Sequence, residues 1–246
     1  MANYSPQDAL TLNLRFIRNM TIDSTSQAIM CDQTMNIIHC AYPWRWTLAT
    51  LTAISLVDGT QDYSVANTDV YRFTNLRITR TDLSPNQSQP LDIVEHLEPD
   101  LYARGGNYNI FRAASWEANL SKLRLDVCAK IVSPVTMQID GTYQKNPTKI
   151  TAAGITTALT QPDQYFPVFQ EGVLYQLYKY ADDDRAGSIV RMKDGATQYT
   201  GQLGVFMARL WEMQQAEDYG NNQGVRFPEE GLGGVRGLQN PGLFIY

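Results

Sequence analysis

Apolar positions recur at helical spacing at both ends of this chain and alternate, as strand residues do, between them. Ser5 precedes Pro6, and Asp8 sits where the positive end of a helix dipole favours a carboxylate, so a helix is expected to start there. Leu10, Leu14 and Ile17 form its apolar face, broadened by Phe16 and Met20, and Asn19 to Asp23 reads as its exit. Ser24 and Gln27 have capping-box spacing. Ala28, Cys31, Met35, Ile38 and Tyr42 then keep the helical period until Pro43, which lacks the N–H needed to continue it.

The period changes at Tyr42-Pro43-Trp44-Arg45-Trp46, a packed aromatic hinge at a domain junction. Strands are predicted over 47–56 and 60–65, joined through Asp58-Gly59 as a hairpin turn, then over 70–81, 89–94, 108–113, 122–129 and 135–143. Lys122-Leu123-Arg124-Leu125-Asp126-Val127 alternates most cleanly, implying one buried and one wet face. Ser84 to Ser88 reads as an exposed loop, and His96 to Ala103 as a short helix before a Gly105-Gly106 turn. Helical pattern returns after Thr160: Phe169, Val173, Leu177 and Tyr180 share one side, and Asp182-Asp183-Asp184 closes that helix. A second helix is expected between about Ala186 and Tyr219, with Tyr199, Leu203, Phe206, Leu210 and Met213 in register.

The expected fold class is α+β. Residues 1–46 and 158–219 would form an antiparallel helical bundle, and residues 47–157 an inserted β-sandwich or barrel-like domain. Residues 220–246 would form an extended C-terminal arm, for that stretch holds seven glycines and no apolar period, yet ends in Leu243-Phe244-Ile245-Tyr246. An apolar tip on a glycine-rich leash needs a receiving surface, so the arm is expected to be mobile in the free chain and ordered when docked.

Composition narrows the function. The 246 residues include 20 Lys and Arg against 25 Asp and Glu, a net charge of −5, which disfavours a protein devoted to gripping nucleic acid. No basic-flanked apolar leader or membrane-length apolar run is visible, so a soluble chain made in the cytoplasm is expected, with no membrane partner. Cys31, Cys40 and Cys128 do not suggest a disulfide framework and read as buried thiols. His39 and His96, the two histidines, fall on different expected domains, and the helical rotation separating Cys31, His39 and Cys40 does not offer zinc geometry. Gly231-Leu232-Gly233-Gly234 lacks the lysine and flanking elements of a phosphate loop. Thus no catalytic residue, metal ligand or cofactor site is assigned. The acidic triplet Asp182 to Asp184 lies at the negative end of a helix dipole, a position that invites basic groups from its own chain, a neighbouring subunit or a partner.

Taken in order, several segments give the chain a resemblance to the head-to-tail adaptor, or connector, proteins of tailed bacteriophages. They are Tyr42-Pro43-Trp44-Arg45-Trp46, Asp58-Gly59-Thr60-Gln61-Asp62-Tyr63 and Gln138-Ile139-Asp140-Gly141-Thr142-Tyr143-Gln144-Lys145-Asn146-Pro147. The helical stretch from Phe166-Pro167-Val168-Phe169 through Asp184-Arg185-Ala186 to Glu212 completes the series. The resemblance implies a non-enzymatic virion protein, assembled in the host cytoplasm and placed at the head–tail interface. It implies a homo-oligomeric ring, commonly dodecameric, docked on the portal protein and offering a platform to a nozzle, stopper, tail terminator or other neck component. It also implies that Leu243, Phe244, Ile245 and Tyr246, with Arg226 and Arg236 as accessory contacts, grip the portal or a neighbouring subunit. Asp182, Asp183 and Asp184 would make charge contacts between subunits. DNA would pass through without sequence-specific binding; twelve copies at −5 each would carry about −60, a charge that repels DNA from an acidic lumen. A receptor- or glycan-binding virion module, with its affinity in the β domain, is the alternative.

Overall fold

A computed structural model describes residues 4–17, 21–94, 111–126, 128–192 and 197–221. The chain divides into two compact units, Met1–Trp46 with Pro147–Tyr246, and Thr47–Asn146.

The second unit is one mixed sheet. Its strands are β1 (Leu48–Thr50), β2 (Ile54–Ser55), β3 (Asp62–Ser64), β4 (Val70–Arg80), β5 (Gln87–Val94), β6 (Ala113–Glu117), β7 (Lys122–Leu125) and β8 (Met137–Lys145). They follow the order β1-β8-β4-β5-β6-β7-β3, with β2 also on β8. Strand β5 explains why this is neither a two-sheet sandwich nor a closed barrel. Its first half, Gln87 to Leu91, pairs antiparallel with β4, whereas Asp92 to Val94 pairs parallel with β6, so one strand joins two sets of ladders into a curled half-barrel. The inner surface of the curl holds Phe73, Leu76, Ile78, Leu91, Leu123, Leu125 and Ile139. On β7, Leu123 and Leu125 are buried and Arg124 between them is exposed, as alternation requires. The Asp58-Gly59 turn does not close a hairpin. Strand β2 pairs with β8 and β3 with β7, so the turn carries the chain between opposite ends of the curl.

The first unit contains α1 (Pro6–Asn13), α2 (Ser24–Ala41), α3 (Phe166–Tyr180), the two-stranded β9 (Ile189–Arg191) and β10 (Thr197–Tyr199), and α4 (Gly201–Asn221). Helix α1 starts at the expected place: Asp8 accepts hydrogen bonds from the Ser5 N–H at 2.7 Å and hydroxyl at 2.8 Å, which holds its carboxyl below the ordinary range. Asp23, not Ser24, caps α2 by accepting from the Ser26 N–H at 2.9 Å.

The expected antiparallel bundle of the two termini is not what the fold contains; the organisation is mainly β, with four short helices. A bundle needs helices of matching length in sequence-adjacent contact through short loops. Helix α1 has only eight residues and gives way to a 3-10 turn at Leu14–Phe16, so Leu14 and Ile17 do not extend its face. Helices α1, α2 and α4 instead gather on α3. Gly172 permits this: a Cβ there would stand 2.5 Å from Thr34 Cγ2 of α2 and 2.8 Å from Phe206 Cε2 of α4. Phe169, Val173, Leu177 and Phe206, all fully buried, fill the shared core with Leu10, Cys31 and Ile38. Buried polar groups are tied across elements. The Asn13 side-chain amide donates to the Gln170 carbonyl at 2.8 Å, and Asp32 accepts from the Ile150 N–H at 2.8 Å.

The aromatic junction packs into this same core. Trp44 is fully buried and donates from Nε1 to the Ile38 carbonyl at 2.6 Å, and its ring lies 4.9 Å from that of Tyr42. Tyr42 in turn donates its hydroxyl to Asp218, while Tyr165 donates to Glu217 at 3.0 Å. The final turns of α4 are thereby anchored to the exit of α2. Burial pushes the Tyr165 hydroxyl up, with Glu217 beside it acting in the same direction.

Candidate functional site

The feature with the clearest chemical consequence lies between α3 and α4, where sequence periodicity predicts continuous helix from about Ala186. Helix α3 stops instead in a Schellman arrangement: the Asp183 N–H donates to the Tyr178 carbonyl at 2.9 Å and the Asp182 N–H to the Lys179 carbonyl at 3.3 Å. Asp182 occupies the left-handed position, at φ 52°. Asp183 then caps a 3-10 turn, Asp184–Ala186, by accepting from the Arg185 N–H at 2.9 Å.

Arg185 organises the stop. Its guanidinium contacts both Asp183 carboxylate oxygens, the shortest approach being 2.6 Å, reaches the Phe16 carbonyl at 3.4 Å and lies 4.4 Å from the centre of the Tyr178 ring. The pairing pulls the Asp183 carboxyl down to about 2. The three aspartates therefore do different work: Asp183 is held by Arg185 of its own chain, while Asp182 and Asp184 are exposed on either side.

Beyond the stop, Gly187 and Gly201 cross back to back at the base of a β-hairpin. Both have positive φ, 78° and 56°, and a Cβ on Gly201 would sit 2.7 Å from the Arg185 carbonyl. The Thr200 N–H donates to the Ser188 carbonyl at 3.0 Å, and the Ser188 N–H donates to the Thr200 hydroxyl at 2.9 Å, closing the base. Strands β9 and β10 pair antiparallel from this clamp, Ile189 opposite Tyr199 and Arg191 opposite Thr197.

The hairpin displays apolar side chains outward. Ile189 is 61% exposed, Val190 41% and Met192 49%. Ile189 and Val190 point to opposite faces of β9, so neither face of that strand is covered. An isolated two-stranded hairpin is marginal unless something packs on it. Tyr180 at the end of α3 and Val205 in the first turns of α4 are exposed close to the same base. The hairpin was hidden in the sequence because Tyr199 also continues the apolar period of Leu203, Phe206 and Leu210; the punctuation by Gly187 and Gly201 is the signal that marks it.

A second surface belongs to α2. Thr25, Ile29, Gln33, Asn36, Ile37 and Cys40 fall within about 120° of helical arc. Within it Ile29 is 51% and Ile37 37% exposed, and the helix contains no lysine or arginine.

Other sequence expectations resolve as follows. Cys31 is buried, and burial pushes its thiol up to about 12, whereas Cys40 and Cys128 are exposed, contrary to the reading of all three as core thiols. Their exposure follows from position: Cys40 is on the outer arc of α2, and Cys128 lies just past the end of β7. His39 is buried, its ring 6.0 Å from that of Trp46. Among the described residues no group of three His, Cys, Asp or Glu could hold a metal ion, and no helix is long and apolar enough to cross a membrane. His96 and the predicted helix 96–103 lie outside the described residues, as do Arg226, Arg236, Leu243, Phe244, Ile245 and Tyr246. Helix α4 runs through Gly220 to Asn221, so the first two residues of the expected arm belong to it.

No protein-family model matches the sequence, and no curated protein matches it at a significant level.

Proposed function

We propose that this chain is a structural virion subunit, a head-to-tail adaptor of a tailed bacteriophage. In this reading copies of the chain form a ring that docks on the portal protein, offers a platform to the next tail or neck component and leaves a passage for DNA. The observation that carries it is the hairpin 188–200, clamped at its base by two glycines and presenting uncovered Ile189, Val190 and Met192. A rigidly held, outward-facing apolar strand is costly to leave in water and serves a protein whose work is to join other proteins. The ordered series of segments resembling adaptor proteins supplies the particular class. Conversely, the Arg185–Asp183 pair stabilises the hairpin base from within the chain, so the docking role assigned here falls to the apolar strand.

The test is electron microscopy of the purified full chain mixed with portal-bearing capsids lacking their tails. The expected result is a ring of added density at the portal vertex. Capsids left bare at saturating protein would rule the adaptor role out.

A further inference from the structure

We propose that the β9–β10 hairpin of one copy docks on the outer face of α2 of the next copy, a head-to-tail contact that builds the ring. The inference rests on the adaptor reading and names the self-contact within it.

The two surfaces are complementary in chemistry. The hairpin strands carry one charge, Arg191, and no carboxylate, beside exposed Ile189 and Val190. The outer arc of α2 carries exposed Ile29 and Ile37 and no cation; its nearest charges are Asp32 at the margin and Asp23 at the N-cap. Copies that each bear −5 associate best where apolar area is bounded by opposite charges rather than where like charges meet. The spacings also agree. Ile189 and Arg191 lie on one face of β9, about 7 Å apart. Along α2, Asp32 is about 4.5 Å and Asp23 about 9 Å of axial rise from Ile29. With Ile189 against Ile29, the Arg191 side chain spans to either carboxylate. Because the hairpin and the helix face are different surfaces of the same unit, the contact is heterologous and repeats from copy to copy, closing where the rotation allows.

The experiment uses the full chain with Cys40→Ser and Cys128→Ser, retaining buried Cys31, and adds either Ile29→Cys or Ile189→Cys. Under mild oxidation, an equimolar mixture of the two variants should yield a disulfide-linked dimer, neither variant alone should do so, and a chain carrying both should give a ladder of linked copies. In parallel, sedimentation velocity should show Ile189→Asp and Arg191→Glu each weakening self-association at least tenfold, with far-UV circular dichroism and melting temperature unchanged. Oligomers that form normally in both variants, without the mixed cross-link, overturn this contact and leave the adaptor reading standing. A chain that is monomeric at every concentration and never cross-links, yet adds density to portal vertices, overturns the self-contact alone. If it also leaves the portals bare, both ideas fall.

Discussion

Asp182 sits in the left-handed conformation that ends α3, a position glycine fills without steric cost. Asp182→Gly should therefore stabilise the chain by about 0.5–1 kcal/mol, since it also removes a negative charge beside the negative end of the helix dipole. An unchanged or lowered midpoint in urea would show that the carboxylate makes a compensating contact. Its neighbour behaves differently. The Asp183 carboxyl is lowered from its ordinary 3.8 to about 2 by Arg185, so the folded state favours the ionised form. The resulting stabilisation is fully present above about pH 4 and is lost as pH falls through about 2. Thermal melts of the chain and of Asp183→Asn should differ most above pH 4 and converge near pH 2; a constant gap would disprove the linkage. Gly172→Ala tests the crowding on α3. Its Cβ would press on Thr34 and Phe206 at 2.5 and 2.8 Å, an overpacking cost of about 1–3 kcal/mol, and Thr34→Ser should recover part of it by removing the methyl group.

At the level of elements, local signals located several pieces correctly because the physics that made them is local. Pro43 ends α2 within two residues, Ser5-Pro6 starts α1, and the alternation on β7 buries Leu123 and Leu125 while exposing Arg124. What a single sequence did not display was pairing at a distance. Strands β1 and β2 both find β8, nearly a hundred residues later, and β5 divides its length between an antiparallel and a parallel neighbour. The hairpin between α3 and α4 escaped for another reason, since a short apolar run fits a helix as readily as a strand. Its exposed residues make a specific expectation. Ile189→Ser and Val190→Ser should each shift the free chain's stability by no more than about 0.5 kcal/mol, because those side chains lose little contact on truncation. Phe206→Ala, by contrast, removes a fully buried ring from the core on α3 and should cost about 3–5 kcal/mol. Urea titrations of the three variants separate the display surface from the core, and a large loss at Ile189 would mean that the hairpin packs on its own chain.

For the molecule as a whole, two compact units are built on different principles: one sheet curled on its own core, and short helices collected around α3 with a clamped hairpin projecting from them. The sequence suggested a bundle because apolar positions at both ends of the chain share the helical period, but equal periods do not enforce equal lengths or consecutive packing. Architecture of this kind places interaction surfaces on the helical unit without drawing on its core, as the exposed hairpin and the neutral arc of α2 illustrate. The central claim is that these surfaces make the chain a self-assembling structural subunit. Native mass spectrometry of the full-length protein over a wide concentration range tests that claim most directly. The account predicts one discrete, closed oligomer, dodecameric in the adaptor reading, that is depleted by Ile189→Asp; a monomer at every concentration would contradict it.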